Sequence, residues 1–418
     1  MEILSVGEKI KRARIYKRLT LKDICNEKIS VSKMSCIENG KITPDDYILE
    51  FLSKKLDISI EYLKYDTKKQ FIDNLKGFSE VEESKKEEFL KYNMYYAKQY
   101  NYYDVAFEFI HIMFNYYIDN NKIDLTRELS SEYYDICAKT KTISIKLTYY
   151  MDMGRYLFFS GEYLESANYY RIINNYIEQN KINEKDITIK AIYYEAQSCM
   201  MANDYKKAYK IANKLMDYVN EVEDLWKAKI YNILLFLSVK MDDDISFFRF
   251  EGEGKKYFEL NSKAKAQFMY NHGLKLLKED KIDEAKKLIC NSMKLFPNGR
   301  NKKYSYFITD FINDLINSKD VTKYEDLCDE ILNYSIDINN YLIIEHAYYL
   351  KAKIFDKAGN KISFEMYMSL SLDFLLKLNN KERLHDRYIE MGKMYADINN
   401  VPEAIKYFNL AIKLSKKI

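Results

Sequence analysis

Turn-forming residues recur along most of this 418-residue chain, at Asn101, Gly161, Asn203, Asp280, Gly359 and Asn399. Most of the intervals are about 40 residues or a multiple of that, the mark of a repeat architecture. Between the turns the apolar pattern is helical almost without interruption, with three Pro and eleven Gly in the whole chain. The segment AQFMYNHGLKLLKEDKIDEAKKLICNSMKLFP pairs a small residue, Gly273, with a turn at Asp280, then Ile282, Ala285 and Pro297. RYIEMGKMYADINNVPEAIKYFNLAIKL repeats this with Gly392, Asn399, Val401, Ala404 and Ala411, and Gly154, Ala196 and Ala352 occupy the corresponding small position elsewhere. A two-helix hairpin cannot bury its apolar face alone, so such units must stack on their neighbours. The expected class is therefore all-α, with helical repeats over 83–418.

Several function classes find no support in the residues. The net charge of +3 is small for this length, so the chain as a whole is not a polyanion binder. Its four His and six Cys lack metal-ligand spacing, and the scattered Cys suit a reduced, cytoplasmic protein. No phosphate-binding loop or nucleophile elbow occurs, and Gly252 and Gly254 in FEGEGKK read as a loop among acidic neighbours. No run of apolar residues approaches a membrane span. The reading is no enzyme, no cofactor, no metal and no membrane partner.

Charge is concentrated at one end. Residues 1–22 carry Lys9, Lys11, Arg12, Arg14, Lys17, Arg18 and Lys22 against Glu2 and Glu8, an excess that steers toward phosphate. Residues 5–65 read as five short helices. The first runs from about Val6 to Lys17 with Val6, Ile10, Ala13 and Ile15 inward. Thr20 caps a second, LKDIC; Ser30 caps a third, VSKMSCIENG, with Met34 and Ile37 buried and Asn39-Gly40 closing it. DYILEFLSKKL follows Pro44, and a last helix begins near Ser59. Residues 66–82, DTKKQFIDNLKGFSEVE, read as a linker helix broken near Gly77.

LTLKDI, IENGKITP and LDISIEYL resemble the helix-turn-helix of Xre/Cro-type regulators over nearly all of 5–65. In that fold the third helix lies in the major groove. The resemblance implies that Val31, Ser32 and Lys33 read bases, with Cys36 one turn on, and that Thr20, Asn39 and Lys41 touch phosphate. Arg14 and Glu38 stand where similar domains form a buried ion pair. Arg18 stands where a turn Gly is common, and a positive φ there costs on the order of 1 kcal/mol.

The repeats resemble tetratricopeptide (TPR) hairpins with lengthened helices, about eight of them, against the usual period of about 34 residues. The whole, an N-terminal five-helix Xre/Cro-type helix-turn-helix domain (1–65) followed by a right-handed TPR-like superhelix, resembles the RRNPP peptide-sensing regulators of Gram-positive quorum sensing. That resemblance implies a double-stranded DNA operator, a short signalling peptide in the TPR groove, and a homodimer. Counting from the small positions places Arg155, Tyr193, Gln197, Tyr270 and Lys353 on the concave face, with Asn232 and Asn271 near it. Side-chain amides pair with an extended peptide backbone, and Arg or Lys holds a carboxylate. An alternative of the same build has repeats that dimerise or bind a protein, with no peptide. A phosphatase-like member would need an acidic or amide residue placed for water attack, and the sequence singles out none.

Overall fold

Short polar side chains set where the first helices begin. Ser5, Ser30, Asp45, Ser59 and Asp66 each accept a hydrogen bond from the backbone N–H three residues on, satisfying a donor with no partner inside the helix. In the computed structural model, which describes residues 2–27, 29–295 and 302–415 (side chains of 302–304, 306, 307 and 310 excepted), these caps open α1 (Val6–Tyr16), α2 (Val31–Glu38), α3 (Asp46–Leu56), α4 (Ile60–Lys64) and α5 (Thr67–Lys76). Pro297, singled out in the sequence, lies outside the described residues.

The expected second helix is a single 3-10 turn over Lys22–Ile24. Thr20 does close it: Asp23 N–H donates to Thr20 Oγ1, and the Thr20 N–H and hydroxyl both donate to the Asp23 carboxylate at 2.7 Å. Cys25 is already extended, and Asn26 and Ile29 then pair backbone to backbone. So few residues cannot repay the cost of nucleating an α-helix. Ile15, expected inward, is exposed, whereas Ile10, Ile24, Met34, Ile37, Leu52 and Leu63 form the core of the five-element domain.

The chain continues through α6 (Lys86–Gln99), α7 (Tyr103–Asp119), α8 (Ile123–Ala138), α9 (Ile143–Ser160), α10 (Tyr163–Asn180), α11 (Lys185–Met201) and α12 (Tyr205–Asn213). Then come α13 (Asp224–Lys240), α14 (Asp244–Phe258), α15 (Ser262–Lys278), α16 (Ile282–Leu295), α17 (Lys302–Ile316), α18 (Glu325–Asp337), α19 (Tyr341–Lys357), α20 (Lys361–Leu378), α21 (Lys381–Asp397) and α22 (Val401–Ser415). All six turn positions named from sequence have positive φ, from 57° at Asn399 to 88° at Gly161, the conformation that Gly, Asn and Asp adopt most cheaply. Asn121, Asp242, Asn339 and Asn379 add four more such turns. Consecutive helices form antiparallel hairpins, α9 with α10, α15 with α16, α19 with α20 and α21 with α22, and alternate helices touch, α7 with α9, α13 with α15 and α17 with α19. This is the packing of stacked TPR-like hairpins.

The chain divides within α12 into two compact units, Met1–Ile211 and Ala212–Ile418. In the first, α5 is not a free linker: Phe71 is fully buried, edge-on to the rings of Tyr100, Tyr102 and Phe109. In the second, Phe364, Met368, Leu375, Leu384 and Met391 centre the core of the last hairpins. Gly252 and Gly254, taken from sequence as a loop, lie inside α14. A Cβ on Gly254 would stand 2.4 Å from the Phe258 ring and 2.9 Å from Tyr231 Cβ, so glycine serves close packing of α13 on α14 there. Among the described residues no group of His, Cys, Asp and Glu could hold a metal, and no helix is long and apolar enough to cross a membrane.

Candidate functional site

α1 is pressed onto the end of α2 at Gly7, where a Cβ would meet the Ile37 carbonyl oxygen at 2.2 Å. The same end of α2 is fixed by charge. Arg14 grips Glu38 with two hydrogen bonds, Nε to Oε1 at 2.6 Å and Nη2 to Oε2 at 2.9 Å, and its Nη1 donates to Leu19 O at 2.9 Å. Glu38 is buried. Arg18 bears the strained turn expected of it, with φ of 55°. Lys9, counted from sequence among the bases steering toward phosphate, is 2 % exposed, and its ammonium donates to the carbonyls of Tyr62 and Tyr65. Burial lowers its pKa. Lys9 and Arg14 therefore hold the domain together and leave the basic surface to Lys11, Arg12, Lys17, Arg18 and Lys22.

What this frame presents is the outer face of α2. Ser30 Oγ accepts from Lys33 N–H at 3.2 Å, so the first turn of α2 is fixed with Val31 and Ser32 exposed and Lys33 half-buried. Cys36 is half-buried one turn later. Lys41 is exposed beyond Gly40, and its N–H closes the helix on Cys36 O at 2.8 Å. Asn39 is exposed, but its amide donates to Ser35 O at 2.8 Å, so that nitrogen is spent on capping α2. The Thr20 hydroxyl is likewise engaged with Asp23.

The residues expected to line a groove fare differently, and they fall in both units. Asn232 and Asn271 are brought together, but inside the second unit: they are 3 % and 1 % exposed, Asn232 Nδ2 donates to Ala264 O at 3.3 Å, and Asn271 Nδ2 donates to Asn232 O at 2.9 Å. Tyr270 is buried edge-on against Phe311, and Tyr193 is buried beside Tyr194. Tyr193 and Tyr270, expected exposed on the concave face, and Asn232 and Asn271, expected near it, are thus all buried. Their register turns them toward the neighbouring helix layers, where an amide satisfies carbonyls between α13 and α15. Arg155, Gln197 and Lys353 are half-buried. Arg155 donates to Asn115 Oδ1 and Asp119, and Lys353 pairs with Glu390 at 2.7 Å.

Arg155 leads to a polar network that the sequence reading missed. Asp152 on α9 is 6 % exposed. Tyr133 of α8 donates to its Oδ2 at 2.5 Å, Asn115 Nδ2 of α7 donates to Oδ1 at 3.0 Å, and His111 Nδ1 stands 2.5 Å from Oδ2. Burial works against a charged His111, but Asp152 outweighs it and raises the pKa of the imidazole. The second unit repeats the plan. Glu345 on α19, fully buried, accepts from Ser371 Oγ of α20 at 2.8 Å and from Arg387 Nη2 of α21 at 3.3 Å. Arg387 lies over the Tyr349 ring, and Tyr349 donates to Glu390 at 2.7 Å. His346 Nδ1 lies near both Leu342 O and Glu345 Oε2, at 2.8 Å each, while Arg383 Nη1 approaches Nε2 at 2.6 Å. With Nε2 accepting from a guanidinium the ring is neutral, and burial lowers its pKa. Burial also opposes the charge on Glu345, yet His346, Arg387 and Ser371 hold its pKa below the ordinary value. Both acids were visible in the sequence as single carboxylates inside apolar runs, TYYMDMGRYLFF and YLIIEHAYYL.

No family model matches the chain, and no curated protein matches it. Solved structures do. The apo form of the quorum sensor NprR from B. thuringiensis superposes with a TM-score of 0.50 over 85 % of this chain and 100 % of that one, at 14 % identity. The fold is that of NprR. A Rap protein complexed with competence and sporulation factor covers 83 % of this chain and 96 % of its own, with a TM-score of 0.49 and 11 % identity. PlcR from Bacillus thuringiensis, in complex with the peptide PapR7 and DNA, covers 65 % of this chain and 98 % of its own, with a TM-score of 0.36 and 14 % identity. The NprR likeness agrees with the all-α fold of stacked helical repeats expected from the sequence.

Proposed function

We propose that the chain is a DNA-binding transcriptional regulator whose TPR-like repeats sense a short signalling peptide and control operator binding. The observation that carries this reading is the fixed first turn of α2, with Val31 and Ser32 exposed on a frame locked by Arg14 and Glu38. A helix presented in this way enters a major groove by its N-terminal residues. Val31, Ser32 and Lys33 read base edges, Cys36 lies beside them, and Lys41 contacts phosphate. Thr20 and Asn39 contact phosphate through whatever hydrogen-bonding capacity their capping roles leave. NprR is a quorum sensor, and the same role is proposed here, in the cytoplasm and as a homodimer, since one such domain reads only a half-site. Arg155 and Gln197 of the first unit, and Lys353 of the second, are each proposed as a peptide-contacting residue within its own unit.

The test is selection of duplexes from a random library by the full-length chain. Enrichment of a two-fold symmetric sequence, lost with Lys33→Ala, supports the reading, and a library unchanged after repeated rounds refutes it. The burial of Asn232, Asn271, Tyr270 and Tyr193 favours a second reading, in which the repeats only dimerise or bind a protein. Arg155→Ala and Lys353→Ala separate the two, because loss of response to conditioned medium from the native host requires a peptide held by those side chains.

A further inference from the structure

The helix-turn-helix domain is joined to the repeats covalently at Tyr65-Asp66, between α4 and α5. One such link leaves rotation about it free. A second connection, far away in sequence, removes that freedom. We propose that residues 2–5, the extended segment ahead of α1, are a clasp that fixes the orientation of the DNA-binding domain on the first repeat hairpins.

Ile3 supplies the apolar part. It is 4 % exposed and belongs to the core of the repeat unit with Phe71, Leu90 and Met94, not to the core of the helix-turn-helix domain. Its N–H donates to the Tyr92 hydroxyl of α6 at 3.2 Å. Gln70 of α5 supplies the polar part. Its Oε1 accepts from Leu4 N–H at 3.0 Å, and its Nε2 donates to Leu4 O at 2.9 Å and to Tyr65 O at 3.0 Å. A single amide, 7 % exposed, thus ties the segment, the covalent link and α5 into one joint. The capping carboxylate of α1 adds a third point, since the Tyr100 hydroxyl at the end of α6 donates to Glu8 Oε2 at 3.0 Å.

These contacts engage α1 and α4 and leave the face of α2 open. They therefore set the direction in which α2 points without covering it. A shift of α5 or α6 within the repeats is passed to α1 through Gln70 and Ile3, and the interval between the recognition helices of two copies changes with it. That last consequence rests on the proposed function, whereas the clasp does not.

The experiment measures orientation directly, with no ligand or DNA. Genetically encoded spin labels replace Tyr16, exposed on α1, and Tyr134, exposed on α8. Pulsed dipolar spectroscopy then reads the distance distribution in the full chain. One narrow distribution is expected for the parent. Gln70→Ala, which cuts three bonds without opening the apolar core, and Ile3→Ala, which removes the plug, are each expected to broaden it at least twofold at unchanged helical circular dichroism. An unchanged width in both variants overturns the clasp. Loss of folded structure in both, with no folded but loosened state, also overturns it, because the segment would then be part of one core and not a joint. Broadening with no DNA selected by the parent chain would refute the proposed function and leave the clasp standing.

Discussion

Replacing Arg14 by Ala tests whether the frame of the N-terminal five-element domain depends on an internal charge pair. In the parent, Glu38 has only 4 % of its side chain exposed and Arg14 has 14 %, with two short bonds between them. Without Arg14 the carboxylate is left in place with no cation, and Leu19 O loses its donor. Removing one partner of a buried pair costs about 3–5 kcal/mol, because the remaining charge stays desolvated. A small domain has only about 5 kcal/mol or a little more to lose. Local opening of α1 and α2 should therefore become roughly a hundred- to four-thousandfold more frequent, at about 1.4 kcal/mol for each factor of ten. Hydrogen–deuterium exchange of the full chain, read on peptides covering 6–16 and 31–38, measures this directly, with peptides from α19 and α20 as internal reference. The double variant Arg14→Met/Glu38→Leu should recover much of the protection, since no charge is then stranded. Protection within threefold of the parent in Arg14→Ala would refute the reasoning, as would a double variant worse than both single ones.

Gly7→Ala should destabilise the same domain by about 1–3 kcal/mol, because the new methyl meets backbone oxygens of Ile37 and Glu38 that cannot rotate away; exchange on 31–38 reads it, and parent-like protection contradicts it. Asn271→Ala should lower the stability of the second unit by about 1–3 kcal/mol, since it removes the donor to the buried Asn232 carbonyl; urea unfolding followed by Trp226 fluorescence checks this, and an unchanged midpoint would return Asn271 to the list of groove residues. The two polar networks should respond oppositely to pH. His346 and Glu345 both have lowered pKa values, so their contribution is full above the ordinary His value of 6.5 and is lost as pH falls through that value and then below 4.5; the Trp226 midpoint should fall over this range, and a rising midpoint contradicts it. His111 has a raised pKa, so the contribution it makes with Asp152, Tyr133, Asn115, Arg155 and the nearby Glu108 is full below 6.5 and is lost as pH rises through the folded-state value; exchange on α7 and α9, corrected for intrinsic rates, should show weaker protection at pH 8 than at pH 6.

The turns were the most legible part of the sequence, because a positive φ can be met cheaply by few residue types, and Asn, Asp or Gly stands at each predicted one. Caps were legible for the same local reason, at Ser30 and Ser59. The Arg14–Glu38 pair was legible only through resemblance to a known domain, since nothing local says that two residues 24 apart will meet. The concave face was misread at Asn232, Asn271, Tyr270 and Tyr193. A step of one residue, a rotation of about 100° about the helix axis, separates a groove-facing residue from one facing the next hairpin, and counting from a small residue does not resolve the two. The clasp was invisible for a different reason. Ile3 and Gln70 look like an ordinary apolar residue and an ordinary amide, and their contacts, Ile3 with Tyr92 and Gln70 with Leu4, depend on how the first domain docks.

The account rests most heavily on a peptide held by the repeats of a DNA-binding protein. Its most direct test is mass spectrometry of small molecules released by denaturing the full chain after gentle purification from dense cultures of its native host. The prediction is one or a few peptides of about five to ten residues, lengths that an extended backbone needs to cross several hairpins at about 3.3 Å per residue, and their yield should drop in Arg155→Ala and Lys353→Ala. A chain that releases no peptide at any growth stage, while still selecting its duplex, would contradict it and leave a regulator whose repeats serve only assembly.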